Sequence, residues 1–291
     1  MRKKNKLKLL LSCTAVLLFA TFSCFAQDTD LQGLKSFKDV PYVTGGGERQ
    51  QLDVFVPEDA NEPLPVIVWI HGGSWRSGSK NQCIPLALDY HKKGYVIASI
   101  NYRFVTTDPF PAQIEDCKAA IRFLRANAGK YNIDPNRIAA WGASAGGHLA
   151  ALLGVNNDEL KVFDVGENLN QSSHIQAVCN TFGPMDYMVM YAIGMRYEGF
   201  YGGPAQEKTD LIRKASPVLQ INKDTAPFLN VHGDKDSTVP LAQSEIMHEA
   251  LKKAGISSEL IVVKDGEHDR KVLDDPRVIP AIDEFLKRTL K

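Results

Sequence analysis

The sequence predicts an α/β fold, in which a mostly parallel, doubly wound sheet carries helices on both faces. Short apolar runs typical of buried strands alternate with segments whose apolar residues recur at helical spacing. The run at residues 138–141 leads through the pattern G-x-S-x-G into an alanine-rich helix-forming segment. Residues with reactive side chains follow several other predicted strands, so we expect a functional site at the carboxyl edge of the sheet.

The predicted sheet begins with an antiparallel edge hairpin. Residues 41–44 and 51–56 are predicted strands, and the triple glycine at 45–47 supplies the turn between them. The next strand, residues 66–70, reads VIVWI, which is apolar throughout. Such a run is typical of a strand that is buried on both faces.

Strands and helices then alternate to the C-terminus. The predicted strands are residues 95–101, 138–141, 175–180, 228–231 and 259–263. The predicted helices are residues 81–93, 112–131, 148–153, 241–254 and 279–290. This alternation predicts a single domain over residues 27–291.

One predicted insert interrupts the alternation at residues 183–216. It is irregular and rich in methionine and tyrosine. Two interpretations are open: a lid over a substrate cleft, or a helix pair that packs on the core.

The N-terminus has the pattern of a secretory signal peptide at residues 1–26. A basic cluster precedes an apolar run at residues 9–20, and small residues lie before a predicted cut after Ala26. We therefore expect an exported, periplasmic or extracellular protein. A lipid anchor on Cys24 is an alternative, but the residues before it lack the leucine of a lipobox. The apolar run is short for a retained membrane span.

Charge and length exclude several classes of partner. Residues 1–26 hold five basic and no acidic residues, so 29 basic and 34 acidic residues follow them. No basic patch is left there, which argues against nucleic acid. No later stretch is apolar enough for stable membrane insertion.

Three cysteines follow the leader, namely Cys83, Cys117 and Cys179. Because three is odd, at most one disulfide can form. The chain has no C-x-x-C and no Cys/His metal spacing, so buried structural cysteines and no metal site are expected.

The G-x-S-x-G pattern places Ser144 as a candidate nucleophile. A strained strand-to-helix turn would expose its hydroxyl, and Gly142 and Gly146 would avoid collisions with neighbouring backbone. The pattern alone is also consistent with an ordinary turn of small residues.

A second glycine turn, HGGSW at residues 71–75, follows the predicted strand at 66–70. The backbone amides of Gly72 and Gly73 are candidates for stabilising an oxyanion. The alternative is a simple turn, but its position after a buried strand and before the serine favours a functional role.

A serine hydroxyl needs a base, and histidine titrates near neutrality. His268 is the best candidate because it lies in the loop after the last predicted strand. We interpret His148, on the helix after Ser144, as a packing residue. Of the remaining histidines, His71 belongs to the glycine turn after residue 70 and His232 closes the predicted strand before the candidate acids. The others lie on helices or a loop away from strand ends: His91, His174 and His248.

A carboxylate must orient the imidazole of that base. Asp234 and Asp236 both follow the predicted strand at 228–231. We expect Asp234 to cap its own turn and Asp236 to reach further into the loop and act as the acid. Asp186 is a more distant candidate. The resulting order along the chain is Ser, Asp, His.

Taken together, the motifs resemble the α/β-hydrolase superfamily. HGGSW, GASAGG, HGDKD with VP behind it, and GEHD are similar to the motifs of hormone-sensitive-lipase-like esterases. NYRF, NIDPNRIAAWGASAGGHLA and ASPVLQI extend the resemblance to the BD-FAE type of acetyl-xylan and feruloyl esterase. The similarity covers nearly the whole chain after the leader.

This resemblance implies roles for particular residues. Ser144 would be the nucleophile, Asp236 the acid and His268 the base, without metal or organic cofactor. The oxyanion-hole amides would be those of Gly72, Gly73 and Ala145. Trp75 and Tyr102, which lie in the HGGSW and NYRF motifs, are predicted to contact substrate.

The resemblance implies a secreted serine esterase that removes acetyl or feruloyl groups from plant polysaccharide. Ser74 and Trp75 replace the third glycine of the lipase-like HGGG, and HGGxW also resembles kynurenine formamidases. An arylformamidase is therefore an alternative. A prolyl-oligopeptidase-type peptidase and a non-catalytic binding module on this scaffold are further alternatives.

Overall fold

The computed structural model describes residues 33–83, 85–155, 157–194 and 198–291. The predicted signal peptide, with Cys24 and the cut after Ala26, lies outside the described residues. Two members of the methionine- and tyrosine-rich insert, Met195 and Tyr197, also lie outside them.

The core of the fold is one eight-stranded sheet with the order β1-β2-β4-β3-β5-β6-β7-β8. Strands β1 and β2 pair antiparallel, as do β2 and β4, and all the other neighbours pair parallel. The predicted parallel sheet with an antiparallel edge hairpin is therefore confirmed. The strands are β1 (Leu34–Pro41), β2 (Gln51–Pro57), β3 (Leu64–Ile70), β4 (Val96–Ile100), β5 (Ile133–Ala143), β6 (Ala177–Thr181), β7 (Phe228–Gly233) and β8 (Ser258–Val263).

Helices cover both faces of this sheet. They are α1 (Pro85–Asp89), α2 (Ala112–Ala126), α3 (Ala145–Gly154), α4 (Tyr187–Ala192), α5 (Glu198–Tyr201), α6 (Thr209–Lys214), α7 (Ala242–Lys253) and α8 (Val278–Leu290). Side chains of α2, α3 and α7 belong to one apolar cluster, and those of α8 belong to a second cluster. The alternating directions of side chains along each strand supply both clusters, which fixes the register of the sheet.

The boundaries differ from the prediction where the local signal is weak. The first strand is Leu34–Pro41 rather than residues 41–44, because this edge strand is largely exposed and lacks clear apolar alternation. The helix predicted at 81–93 is the short α1, with 3-10 turns before and after it. The helix predicted at 112–131 ends at Ala126, and the Asn127 side chain donates to the Phe123 carbonyl there.

The three cysteines have free thiols. Cys117 and Cys179 are buried in the core, and Cys83 is half-buried. Burial raises the pKa of the Cys83 thiol to about 12. The length and apolarity that a bilayer-spanning helix requires are not found in any helix of the described residues.

Helix α3 lies close against the sheet, and Gly146 makes this approach possible. A Cβ atom at Gly146 would lie 2.0 Å from the carbonyl oxygen of Ile70, at the end of β3. This contact is with backbone, which a rotamer change cannot relieve. The position of the turn before α3 therefore depends on a residue without a side chain.

We expect Gly146→Ala to lower the free energy of unfolding by about 3 kcal/mol or more, because strand β3 and helix α3 must separate. Urea denaturation followed by circular dichroism measures this change. Gly129→Ala is the matched control, since a Cβ there meets nothing within 4 Å. Equal stabilities for the two variants would contradict the close approach.

Candidate active site

Three of the predicted site residues meet at the carboxyl edge of the sheet. The Ser144 hydroxyl donates to Nε2 of His268 across 2.9 Å. Nδ1 of His268 donates to Oδ2 of Asp236 across 2.6 Å. Ser144 follows β5, Asp236 follows β7 and His268 follows β8. The parallel strands thus bring together side chains that are distant in sequence.

Ser144 occupies a strained turn between β5 and α3. Its φ of 54° and ψ of −120° are unfavourable for a residue with a side chain. The amide of Ser144 donates to the Thr181 carbonyl at the end of β6. Helix α3 begins at the next residue, Ala145. The turn leaves the Ser144 hydroxyl half-buried and directed at His268.

The carboxylate of Asp236 is bonded on both oxygens. Oδ1 accepts the amides of Thr238 at 2.9 Å and Val239 at 2.8 Å. Burial alone would raise the pKa of Asp236, but donors from His232, His268 and the Val239 amide outweigh burial and hold it well below its ordinary value. Asp236 is therefore ionised at neutral pH and accepts the proton of His268 Nδ1.

Asp234, the other candidate acid, has a different role from the one predicted. Its Oδ1 accepts the amide of Asp265 at 2.6 Å, in the loop after β8, rather than an amide of its own turn. The amide of Lys235 donates to the Gly266 carbonyl in that same loop. These two bonds join the loop that carries Asp236 to the loop that carries His268. Asp186 is elsewhere: it caps the N-terminus of α4.

The glycine turn after β3 lies directly against Ser144. A Cβ atom at Gly72 would be 3.5 Å from Cβ of Ser144 and 2.9 Å from the Ala143 carbonyl oxygen. Among the residues that the structure describes, the amides of Gly72, Gly73 and Ala145 donate to no acceptor. Three backbone donors are thus unused at the turns beside the hydroxyl.

The predicted substrate contact of Tyr102 is wrong, because the side chain has no exposed surface. Its hydroxyl donates to the His71 carbonyl at 2.9 Å, and its ring stacks on the His71 imidazole. Nδ1 of His71 donates to the Gly72 carbonyl at 2.7 Å. Burial lowers the pKa of His71 to about 4, so the ring is neutral. Tyr102 and His71 therefore stabilise the glycine turn through hydrogen bonds to its carbonyl groups.

Trp75 is largely buried as well, with 4% of its surface exposed, and its contact with substrate stays a prediction. Its ring packs against Phe200 at 4.6 Å between centroids and against His148 at 5.4 Å. Nε2 of His148 donates to the Ala215 carbonyl, and burial lowers the pKa of His148 to about 4. His148 is therefore a neutral packing residue, as its place on the helix suggested.

Phe182 is a site residue that the sequence analysis missed. Its ring lies 4.5 Å from the His268 imidazole between centroids, and it is buried. Phe182 directly follows β6 and has a φ of 42°, which is unusual for a bulky residue. Its position after a strand, at the same edge as the other site residues, was the available signal.

The described residues contain no group of three or more His, Cys, Asp or Glu side chains arranged to hold a metal ion. The edge of the sheet presents a hydroxyl, an imidazole and a carboxylate in hydrogen-bonded sequence, beside amides that donate to no acceptor.

The chain is similar to curated proteins that are named esterases. The chain is 31% identical to Esterase LipC of Mycobacterium tuberculosis over 81% of its own length and 61% of LipC. It is 30% identical to Esterase LipQ of the same organism over 53% of LipQ. The chain therefore spans only about half to three fifths of these curated relatives.

Solved structures with a similar fold cover more of the chain. A truncated carbohydrate esterase from gut microbiota superposes with a TM-score of 0.81 and 30% identity, over 88% of this chain and 96% of that one. An acetyl ester-xyloside bifunctional hydrolase from Caldicellulosiruptor lactoaceticus superposes with a TM-score of 0.68 and 27% identity, over 82% and 85% of the two chains.

The family model BD-FAE matches residues 52–251, which include the glycine turn, Ser144 and Asp236. Together with the sheet topology and the esterase neighbours, this match shows that the chain is an α/β-hydrolase of the BD-FAE family.

Proposed function

We propose that the chain is a secreted serine carboxylic-ester hydrolase with Ser144 as nucleophile, His268 as base and Asp236 as acid. The observation that carries this proposal is the pair of hydrogen bonds from Ser144 to His268 and from His268 to Asp236, at 2.9 and 2.6 Å. Both are within the range needed for proton transfer and orientation.

In the proposed acylation step, Nε2 of His268 removes the hydroxyl proton while Oγ of Ser144 attacks the ester carbonyl carbon. The ionised Asp236 keeps the proton of His268 on Nδ1 and stabilises the imidazolium. The tetrahedral intermediate then collapses, and the alcohol leaves with the proton from Nε2. The acyl group is then bound to Oγ of Ser144. A water molecule, deprotonated by His268, attacks the carbonyl carbon of this acyl-enzyme. The carboxylic acid product leaves as Oγ regains the proton from His268.

The unused amides of Gly72, Gly73 and Ala145 are the proposed oxyanion hole. Backbone donors fixed in two turns need no rearrangement when negative charge develops on the carbonyl oxygen. One such donor is typically worth about 10²–10³ in rate. The support of the glycine turn by Tyr102 and His71 favours this pre-organised role.

For the substrate, we propose acetyl or feruloyl esters of plant polysaccharide. The support is indirect: one structural neighbour is named a carbohydrate esterase and another an acetyl ester-xyloside hydrolase. The sequence pattern at residues 1–26 adds an expectation of export, which suits a polymeric substrate outside the cytoplasm.

We expect a fluorophosphonate probe to label the wild-type protein at one site, because it reacts with activated serine hydroxyls. Ser144→Ala should abolish the label, which mass spectrometry of the labelled peptide locates. Ser36→Ala, which changes an exposed serine on β1, is the control and should label fully. A folded wild-type protein that never labels would refute the enzyme assignment.

We expect Asp236→Asn to lower kcat by about 10⁴, because the amide favours the wrong tautomer of His268. Asp234→Asn is the matched control. Its amide oxygen can still accept the Asp265 amide, so kcat should stay within a few-fold of the wild type. Steady-state hydrolysis of nitrophenyl acetate measures both. The opposite ranking of the two variants would transfer the acid role to Asp234.

A panel of nitrophenyl acetate, methyl ferulate, acetylated xylan and formylkynurenine tests the substrate class. We expect the highest kcat/KM on an acetyl or feruloyl ester, since these acyl groups match the proposed substrate. Ser144→Ala provides the background rate for each compound. A large preference for formylkynurenine would instead identify an arylformamidase.

A further inference from the structure

His232 is a buried histidine that has no role in the proposed mechanism. It lies in β7, four residues before Asp236, and its side chain has no exposed surface. Its Nε2 is 2.9 Å from the Val239 carbonyl oxygen and 3.3 Å from Oδ2 of Asp236. Its Nδ1 is 2.8 Å from Oγ of Ser244. Nε2 therefore faces Asp236 and the Val239 carbonyl of its turn, and Nδ1 faces Ser244 on helix α7.

These contacts define the tautomer of His232. A carbonyl oxygen only accepts, so Nε2 must carry the proton that is donated to Val239. When Nδ1 carries no proton it is an acceptor, and it then receives the hydroxyl proton of Ser244. Ser244 lies on α7 and is fully buried. Helix α7 thus fixes which nitrogen of His232 faces the acid.

The contacts hold the turn between Asp236 and Val239 from both sides. The Val239 amide donates to Oδ1 of Asp236, while the Val239 carbonyl accepts from His232. The same N–H of His232 lies beside Oδ2, the oxygen that accepts from His268. Rotation of the carboxylate would break the amide bonds on Oδ1 and leave Oδ2 away from both imidazoles.

We propose that His232 is a positioning residue that fixes the Asp236 carboxylate for His268, with Ser244 setting the tautomer of His232. This inference rests on the proposed function, because it concerns the acid of that mechanism. The favourable interaction is with the oriented carboxylate, so its loss acts on the chemical step rather than on substrate binding.

The experiment compares His232→Phe, which keeps a ring without donors, with His232→Gln, whose amide nitrogen can replace Nε2 as donor. For nitrophenyl acetate we expect His232→Phe to lower kcat about tenfold or more with KM unchanged, and His232→Gln to recover most of the loss. Ser244→Ala, which leaves His232 in place, should give a smaller decrease in kcat.

The control is His248→Phe. His248 lies on α7 and, like His232, pairs its Nδ1 with a serine hydroxyl, that of Ser258 at 2.9 Å. Among the described residues, its hydrogen bond and ion pair reach Ser258 and Glu249 and no site residue. This variant should keep the wild-type kcat. A loss equal to that of His232→Phe would show a general effect of removing a histidine–serine pair and would overturn the inference.

A double-mutant cycle separates positioning from loss of structure. If His232 acts through the Asp236 carboxylate, adding His232→Phe to Asp236→Asn should lower kcat by much less than tenfold. An undiminished loss in that background would overturn the inference, as would wild-type kcat in His232→Phe. A wild-type protein inactive on every ester would refute the proposed function itself, and the inference with it.

Discussion

The whole site depends on one hydrogen-bonded series from Asp236 through His268 to Ser144. Its two bonds span 32 and 124 positions of sequence, so no local interaction can create it. Parallel strands solve this problem, because each strand delivers its following loop to the same edge of the sheet. The buried strands β3 to β7 therefore act as the rigid support on which the series is assembled.

Position at one edge is not sufficient, because loops are mobile unless they are tied down. The loops after β7 and β8 are joined by the Asp234 carboxylate and by the Lys235 amide. The ring of Phe182 packs on the His268 imidazole and limits its rotation. In the proposed mechanism, fixed distances of this kind place the reacting groups before substrate arrives, which lowers the entropic part of the barrier.

The sequence was most informative where backbone geometry restricts the choice of residue. The turn around Ser144 needs glycine two positions away, as at Gly146, so its motif can be recognised from the sequence alone. The apolar runs predicted the strands, and the alternation of strands with helices predicted that most of them pair parallel. The hydrogen bonds of Asp234 and Lys235 with the next loop could not be predicted, because they join two loops whose separation only the folded sheet defines. The burial of Tyr102 was missed for the same reason.

The described part of the insert at 183–216 packs against the glycine turn of the site. Tyr187 and Phe200 stack with 5.4 Å between centroids, and Phe200 packs on Trp75 of the glycine turn. Aromatic pairs of this kind contribute about 0.5–1.5 kcal/mol each beyond their buried area. Opening the described part of the insert as a rigid lid would break these contacts and disturb the glycine turn that holds the proposed oxyanion donors. On the outer surface of the insert, Met188 is 42% exposed and Ile193 is 57% exposed. The packing interpretation thus accounts for the inner face of the described part of the insert.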